Sequence, residues 1–85
     1  MNKMLTSEQV RAGRMLIRWS QQNLAEASGV SLATIKRLET QPGRLEAHTP
    51  TISAIEIAFD KAGVEFIPEN GGGRGVRLKK EPSKP

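Results

Sequence analysis

Apolar residues recur at helical spacing in four stretches of the chain and alternate with polar residues in two more. The first helical stretch opens with Leu5-Thr6-Ser7-Glu8-Gln9-Val10. Thr6 and Gln9 fit a capping box, in which each side chain satisfies the other's free backbone N–H. Leu5 and Val10 fit the hydrophobic staple around it. A helix is predicted from about Ser7 to Ile17, with Val10, Gly13 and Ile17 on one side and Ala12, Leu16 and Trp19 beside them. Gly13 costs helix propensity, about 1 kcal/mol against Ala, which points to a neighbour packed too close for a side chain. Ser20 is placed to cap a second helix, from about Gln21 to Ala27, whose apolar side is Leu24, Ala25 and Ala27. A third runs from about Leu32 to Thr40 on Ile35 and Leu38. The loop from Thr40 to His48 contains the Pro42-Gly43 turn signal. Thr49-Pro50 reads as an N-cap followed by proline at the first helical position. The fourth helix then carries Ile52, Ile55, Phe59 and Ala62 as its stripe, leaves Ile57 off it, and stops at Gly63.

The alternating runs are V-E-F-I and V-R-L-K, separated by P-E-N-G-G-G-R-G. They predict a β-hairpin with Val64, Phe66, Val76 and Leu78 on one face and Arg77 and Lys79 on the other. An isolated hairpin is marginal in water, so this one must pack on the helices or pair with a second copy. The expected organisation is a flexible N-terminus over 1–5, a helical domain over 6–63, a hairpin appendage over 64–79 and a disordered basic tail over 80–85.

The stretch from Ser20 to Glu39 is the most informative. Gly29 falls between two short helices, where the chain needs a positive φ that glycine adopts without strain. Val30 follows as a buried plug, and Ser31 caps the next helix. Ala25 is small enough for that helix to cross closely. These features form the signature of a helix-turn-helix. The stretch resembles the phage-repressor-like (Cro/CI, Xre-type) helix-turn-helix family, on Gln21, Leu24, Ala25, Gly29, Val30, Ser31, Ile35, Leu38 and Glu39. The resemblance is strong over about twenty residues and extends more weakly from Thr6 to Gly63. It implies a mostly α fold: a four-helix lambda-repressor-like helix-turn-helix bundle, here with a C-terminal β-hairpin and a disordered tail.

The same resemblance implies a set of DNA-contacting residues. The third helix would enter the major groove by its N-terminal part, which presents Ser31, Leu32, Ala33, Lys36 and Arg37, with Thr34 beside Ser31 as a holder of phosphates or bases. Arg37 can bond guanine O6 and N7 as a bidentate pair, and Lys36 can do likewise or take a phosphate. Leu32 and Ala33 can touch only thymine methyl groups. Gln21 stands where the family places a phosphate-contacting glutamine, and Arg44 where members grip phosphate after the third helix. Arg14 and Glu39 resemble the family's ion pair between the first helix and the end of the third. Arg18 occupies a turn position where the family often has glycine, which leaves two readings: a positive φ there, at a strain of about 1 kcal/mol, or a first helix that ends differently.

Composition narrows the alternatives. The chain of 85 residues is long enough for one small domain. No apolar run approaches the ~20 residues of a membrane span, and M-N-K-M-L-T lacks the apolar core of a secretory signal. A cytoplasmic protein is expected. With no cysteine and a lone His48, neither a thiolate nor a multi-histidine metal site can form. Gly71-Gly72-Gly73-Arg74-Gly75 lacks the Lys-Ser/Thr of a phosphate-binding P-loop and reads as a turn. The acidic residues are scattered, so no catalytic site, cofactor or small-molecule ligand is expected. Trp19 is expected in the core.

Charge is unevenly placed. Basic and acidic residues balance over 1–70, so the formal net charge of +4 lies wholly in 71–85, on Arg74, Arg77, Lys79, Lys80 and Lys84 against Glu81. DNA-binding domains usually show a basic face, and here the helical part is neutral. The hairpin cations have two readings: phosphate contacts, or charges that keep an edge strand soluble.

The expected function is a sequence-specific, double-stranded DNA-binding transcriptional regulator, a repressor, working as a homodimer through the hairpin or through Ile57. The alternative is an interaction module on the same fold, an antiactivator or antitoxin that binds another transcription regulator, a protein partner, through the same face.

Overall fold

The computed structural model describes residues 5–80, so the expectations for the first four residues and for 81–85 lie outside it. A cap opens the first helix. The Gln9 backbone N–H donates to Thr6 Oγ1 at 3.2 Å, and Gln9 Oε1 accepts from the Thr6 N–H at 3.0 Å. This box launches α1 (Ser7–Leu16). Leu5 and Val10 are both buried, as the staple requires. Three more helices follow: α2 (Gln21–Ser28), α3 (Leu32–Thr40) and α4 (Thr49–Lys61). A two-stranded antiparallel sheet of β1 (Val64–Ile67) and β2 (Gly75–Leu78) completes the domain. Among the described residues no helix is long and apolar enough to cross a membrane.

Phe59 of α4 is the centre of the core, with no exposed surface. Its ring lies 5.7 Å from that of Trp19 and meets Phe66 of β1 edge-on at 5.2 Å. The other contact explains Gly13. A Cβ built on Gly13 would stand 3.1 Å from Phe59 Cε1, closer than an ordinary van der Waals contact. The glycine therefore lets α1 lie directly on the ring. Leu24, Ile35, Leu38, Ile55 and Ala58 fill the space around it.

The hairpin packs on these helices. Its register pairs Val64 with Leu78 and Phe66 with Val76, which puts the four apolar side chains on one face. Gln9 ties the hairpin to α1: its Nε2 donates to the Gly75 carbonyl at 2.9 Å and to the Ile67 carbonyl at 3.3 Å. One residue thus closes the helix cap with its oxygen and holds the sheet with its nitrogen.

Several expectations need correction. The N-cap of α4 is His48 rather than Thr49, with no side-chain hydrogen bond, and Thr49 is the first helical residue ahead of Pro50. Ala12, Leu16 and Ala27 face solvent, because α1 and α2 are each covered on one narrow side only. Val30 is half-buried rather than sealed. Leu78 remains 54% exposed at the open end of the hairpin. The loop between α3 and α4 is more ordered than its composition suggests. Leu45 is buried, its N–H donates to the Leu5 carbonyl at 3.0 Å, and the Ser7 N–H donates to the Gly43 carbonyl at 2.8 Å. These bonds strap the loop along the start of α1.

Candidate nucleic-acid interface

Three residues, Gly29 to Ser31, separate α2 from α3. Gly29 ends α2 in the left-handed region at φ 77°, and its N–H donates to the Ala25 carbonyl at 2.9 Å. That corner lets the chain reverse without strain. The Val30 N–H donates to Ser28 Oγ at 3.1 Å. Ser31 then caps α3 by accepting from the Thr34 N–H at 3.2 Å, and its hydroxyl donates to Thr34 Oγ1 at 2.9 Å. Both hydroxyls at the helix start are therefore engaged in the cap.

The far end of α3 is fixed by a buried ion pair. Arg14 Nε donates to Glu39 Oε2 at 2.8 Å and Nη2 to Oε1 at 2.7 Å. The Glu39 side chain is 2% exposed and that of Arg14 14%. Arg14 Nη1 also donates to the Trp19 carbonyl at 3.0 Å, and Arg11 Nη1 to the Glu39 carbonyl at 2.6 Å. Two arginines of α1 thus meet the C-terminal end of α3, where unpaired carbonyls favour a cation. Such a pair fixes orientation more reliably than it adds stability.

With both ends held, α3 buries Ile35, Leu38 and Glu39 and turns Ala33, Lys36 and Arg37 outward. Ser31 is exposed ahead of them. Leu32 departs from the expected set: it is half-buried and packs against the core, so it does not stand free beside Ala33. Thr34 is half-buried. Arg37 makes one long hydrogen bond, 3.4 Å from Nη1 to the Glu46 carbonyl. With Thr34, Glu46, Ala47, His48 and Thr51 it lines an open cleft of about 520 Å³ between α3 and the start of α4.

Gln21 lies at the first position of α2, but its side chain points inward, with Nε2 donating to Glu39 Oε1 at 3.1 Å. This link spans eighteen residues of sequence, and local pattern does not reveal it. Arg44 is exposed on the strapped loop and pairs backbone to backbone with Thr6.

The pairing of charges is the feature that segment totals hid. Arg11 faces Glu8, Arg14 faces Glu39, Arg74 faces Glu69, Arg77 faces Glu65 and Lys79 faces Asp60. Arg18, Lys36, Arg37, Arg44, Lys61 and Lys80 have no carboxylate partner among the described residues, and Lys36 and Arg37 are the two of them on α3. The described residues also contain no group of three or more His, Asp or Glu side chains arranged to hold a metal. No family model matches the chain, and no curated protein matches it.

Proposed function

We propose that this protein is a sequence-specific double-stranded DNA-binding regulator of transcription, a repressor, and that α2 and α3 act as a helix-turn-helix. In this reading α3 enters the major groove with Ser31, Ala33, Lys36 and Arg37 toward the bases. Gln21, at the head of α2, and Arg44, on the strapped loop, lie against phosphates. The observation that carries it is the outward face of α3, where Lys36 and Arg37 stand without carboxylates on a helix locked at both ends. A fixed helix presenting unneutralised cations suits a polyanion whose groove admits a helix. Gln21 must either keep its bond to Glu39 and offer its carbonyl side and backbone N–H outward, or turn on binding.

The alternative, docking of another regulator on the same face, draws less support. Interface hot spots are enriched in Trp, Tyr and Arg, with the aromatic anchors seated in desolvated pockets, and of these types α3 offers only Arg37. Among the described residues the exposed large apolar side chains are Met15, Leu16, Ile57 and Leu78, none of them on α3, while Leu32 is turned inward. The test is a salt series of binding to pooled duplex DNA. Phosphate contacts make log affinity fall linearly with log salt. No binding even at low salt would overturn the DNA reading in favour of a protein partner.

One such helix reads only a few base pairs, so a two-fold dimer with half-sites about 34–36 Å apart is the natural working form. Ile57, 54% exposed beside a groove of about 240 Å³ between α4 and β1, supports a contact there. Sedimentation that shows only monomer at high concentration, with and without DNA, would remove it.

A further inference from the structure

We propose that Arg18 is a further phosphate-contacting residue, acting beside Gln21 at the joint between α1 and α2; the inference rests on the DNA reading above. Arg18 is the only non-glycine residue with a positive φ among those described, at 57°. The backbone demands that geometry. The Trp19 N–H donates to the Arg14 carbonyl at 2.8 Å and the Arg18 N–H to the Met15 carbonyl at 3.3 Å. These are the two bonds of a Schellman ending, which places the residue after the helix cap in the left-handed region. Glycine meets that demand without strain, and a β-carbon does not.

The side chain does not offset the strain from within the fold. The Arg18 side chain is exposed and forms no hydrogen bond or ion pair with any described residue. Arg14, one turn earlier, shows the contrast, since its whole guanidinium is used inside the molecule. A strained position that carries an unpartnered cation gains its use from something outside the chain. The location says what. The neighbouring Trp19 carbonyl is held by Arg14, Arg14 holds Glu39, and Glu39 holds Gln21. Arg18 therefore projects from a joint fixed relative to α3. It lies three residues before Gln21, with Cα atoms no more than about 10–11 Å apart. Arg18 thus joins Lys36, Arg37, Arg44, Lys61 and Lys80 as a cation without a carboxylate partner among the described residues, and it is the one that stands beside Gln21.

The experiment compares wild type, Arg18→Gly and Arg18→Lys by thermal melting and by a salt series of duplex DNA binding. Arg18→Gly should melt higher, by roughly 4–8 °C, because the strain is gone. It should bind about tenfold more weakly at low salt, and its log–log salt slope should be shallower by about 0.9, the signature of one lost phosphate contact. Arg18→Lys should keep the wild-type slope. An Arg18→Gly protein with wild-type affinity and slope would overturn this inference alone. An Arg18→Gly protein that melts lower would overturn it too, by assigning the arginine to the fold. A wild type that binds no DNA at any salt removes the underlying reading, and is seen before any variant is compared.

Discussion

On α3, Lys36 and Arg37 reach solvent with no carboxylate beside them among the described residues. On the hairpin and its α4 flank, Arg77 lies 2.6 Å from Glu65, Lys79 2.5 Å from Asp60 and Arg74 3.3 Å from Glu69. By sequence the two regions rank the other way, since the balanced segment contains α3 and the excess charge lies C-terminal. The fold reverses the ranking because it brings Asp60 of α4, Glu65 of β1 and Glu69 of the connecting turn against Lys79, Arg77 and Arg74. What a polyanion would meet is set by which cations remain unneutralised at short range, and a residue count cannot show that. Exposed pairs of this kind add little stability, about 0–1 kcal/mol each. Their larger consequence is to quench the positive potential of Arg74, Arg77 and Lys79, while Lys80 beyond β2 and Lys61 at the end of α4 keep no carboxylate partner among the described residues.

The two regions also differ in how they are held, and this can be broken. Glu39→Ala removes the carboxylate that positions Arg14 and Gln21. It should destabilise the domain by about 3–5 kcal/mol, since a buried guanidinium loses its counter-charge. A thermal melt checks this, and an unchanged midpoint would mean that α3 is held by apolar packing alone. Gln9→Ala acts on the other region. It removes half of the capping box and both bonds to the hairpin, and should cost about 2 kcal/mol. Hydrogen exchange should show faster exchange in β1 and β2, with α3 little altered. Equal loosening of both regions would contradict the separation drawn here. Arg77→Ala should shift stability by less than about 1 kcal/mol, measured by urea titration.

The smallest effect concerns the loop that carries Arg44. The N–H groups of Glu8 itself and of Gly43 hold the exposed Glu8 carboxyl below its ordinary value of 4.5. A lowered folded value means stability that is present above pH 4.5 and lost as pH falls through the folded value. Glu8→Gln should therefore flatten the acid side of the stability profile, in a pH series of melts. An identical acid limb in the two proteins would show that the strap does not depend on this carboxylate.

Much of this architecture is legible from local chemistry. The Thr6–Gln9 box, the Gly29 corner and the close approach at Gly13 each follow from a few adjacent residues or from one steric demand, whereas the resemblance left two endings of the first helix open at Arg18 and the fold takes the one with a positive φ. The Arg14–Glu39 pair was legible by resemblance and is present. Features set by distant partners were not legible. Gln9 has a second role only because the hairpin arrives beside it. Leu45 is core only because its loop is strapped to Leu5. The resemblance places Leu32 at the free start of α3, but in the fold it is half-buried and packs against the core. His48 displaces Thr49 as cap because proline fits the second helical position as well as the first. At the candidate interface, sequence supplied the residues; the orientation of Gln21 and the pairing of the hairpin cations needed the fold.

The most direct test of the central claim measures the salt dependence of duplex DNA binding for two sets of variants in parallel. The first set is Lys36→Ala and Arg37→Ala, the second Arg77→Ala and Lys79→Ala. Each α3 variant should make the log–log slope shallower by roughly 0.9 per lost contact, and Arg37→Ala should also relax preference at one base pair by about 1–3 kcal/mol. The hairpin variants should superimpose on wild type. Equal losses in both sets, or losses in the hairpin set alone, would contradict the account.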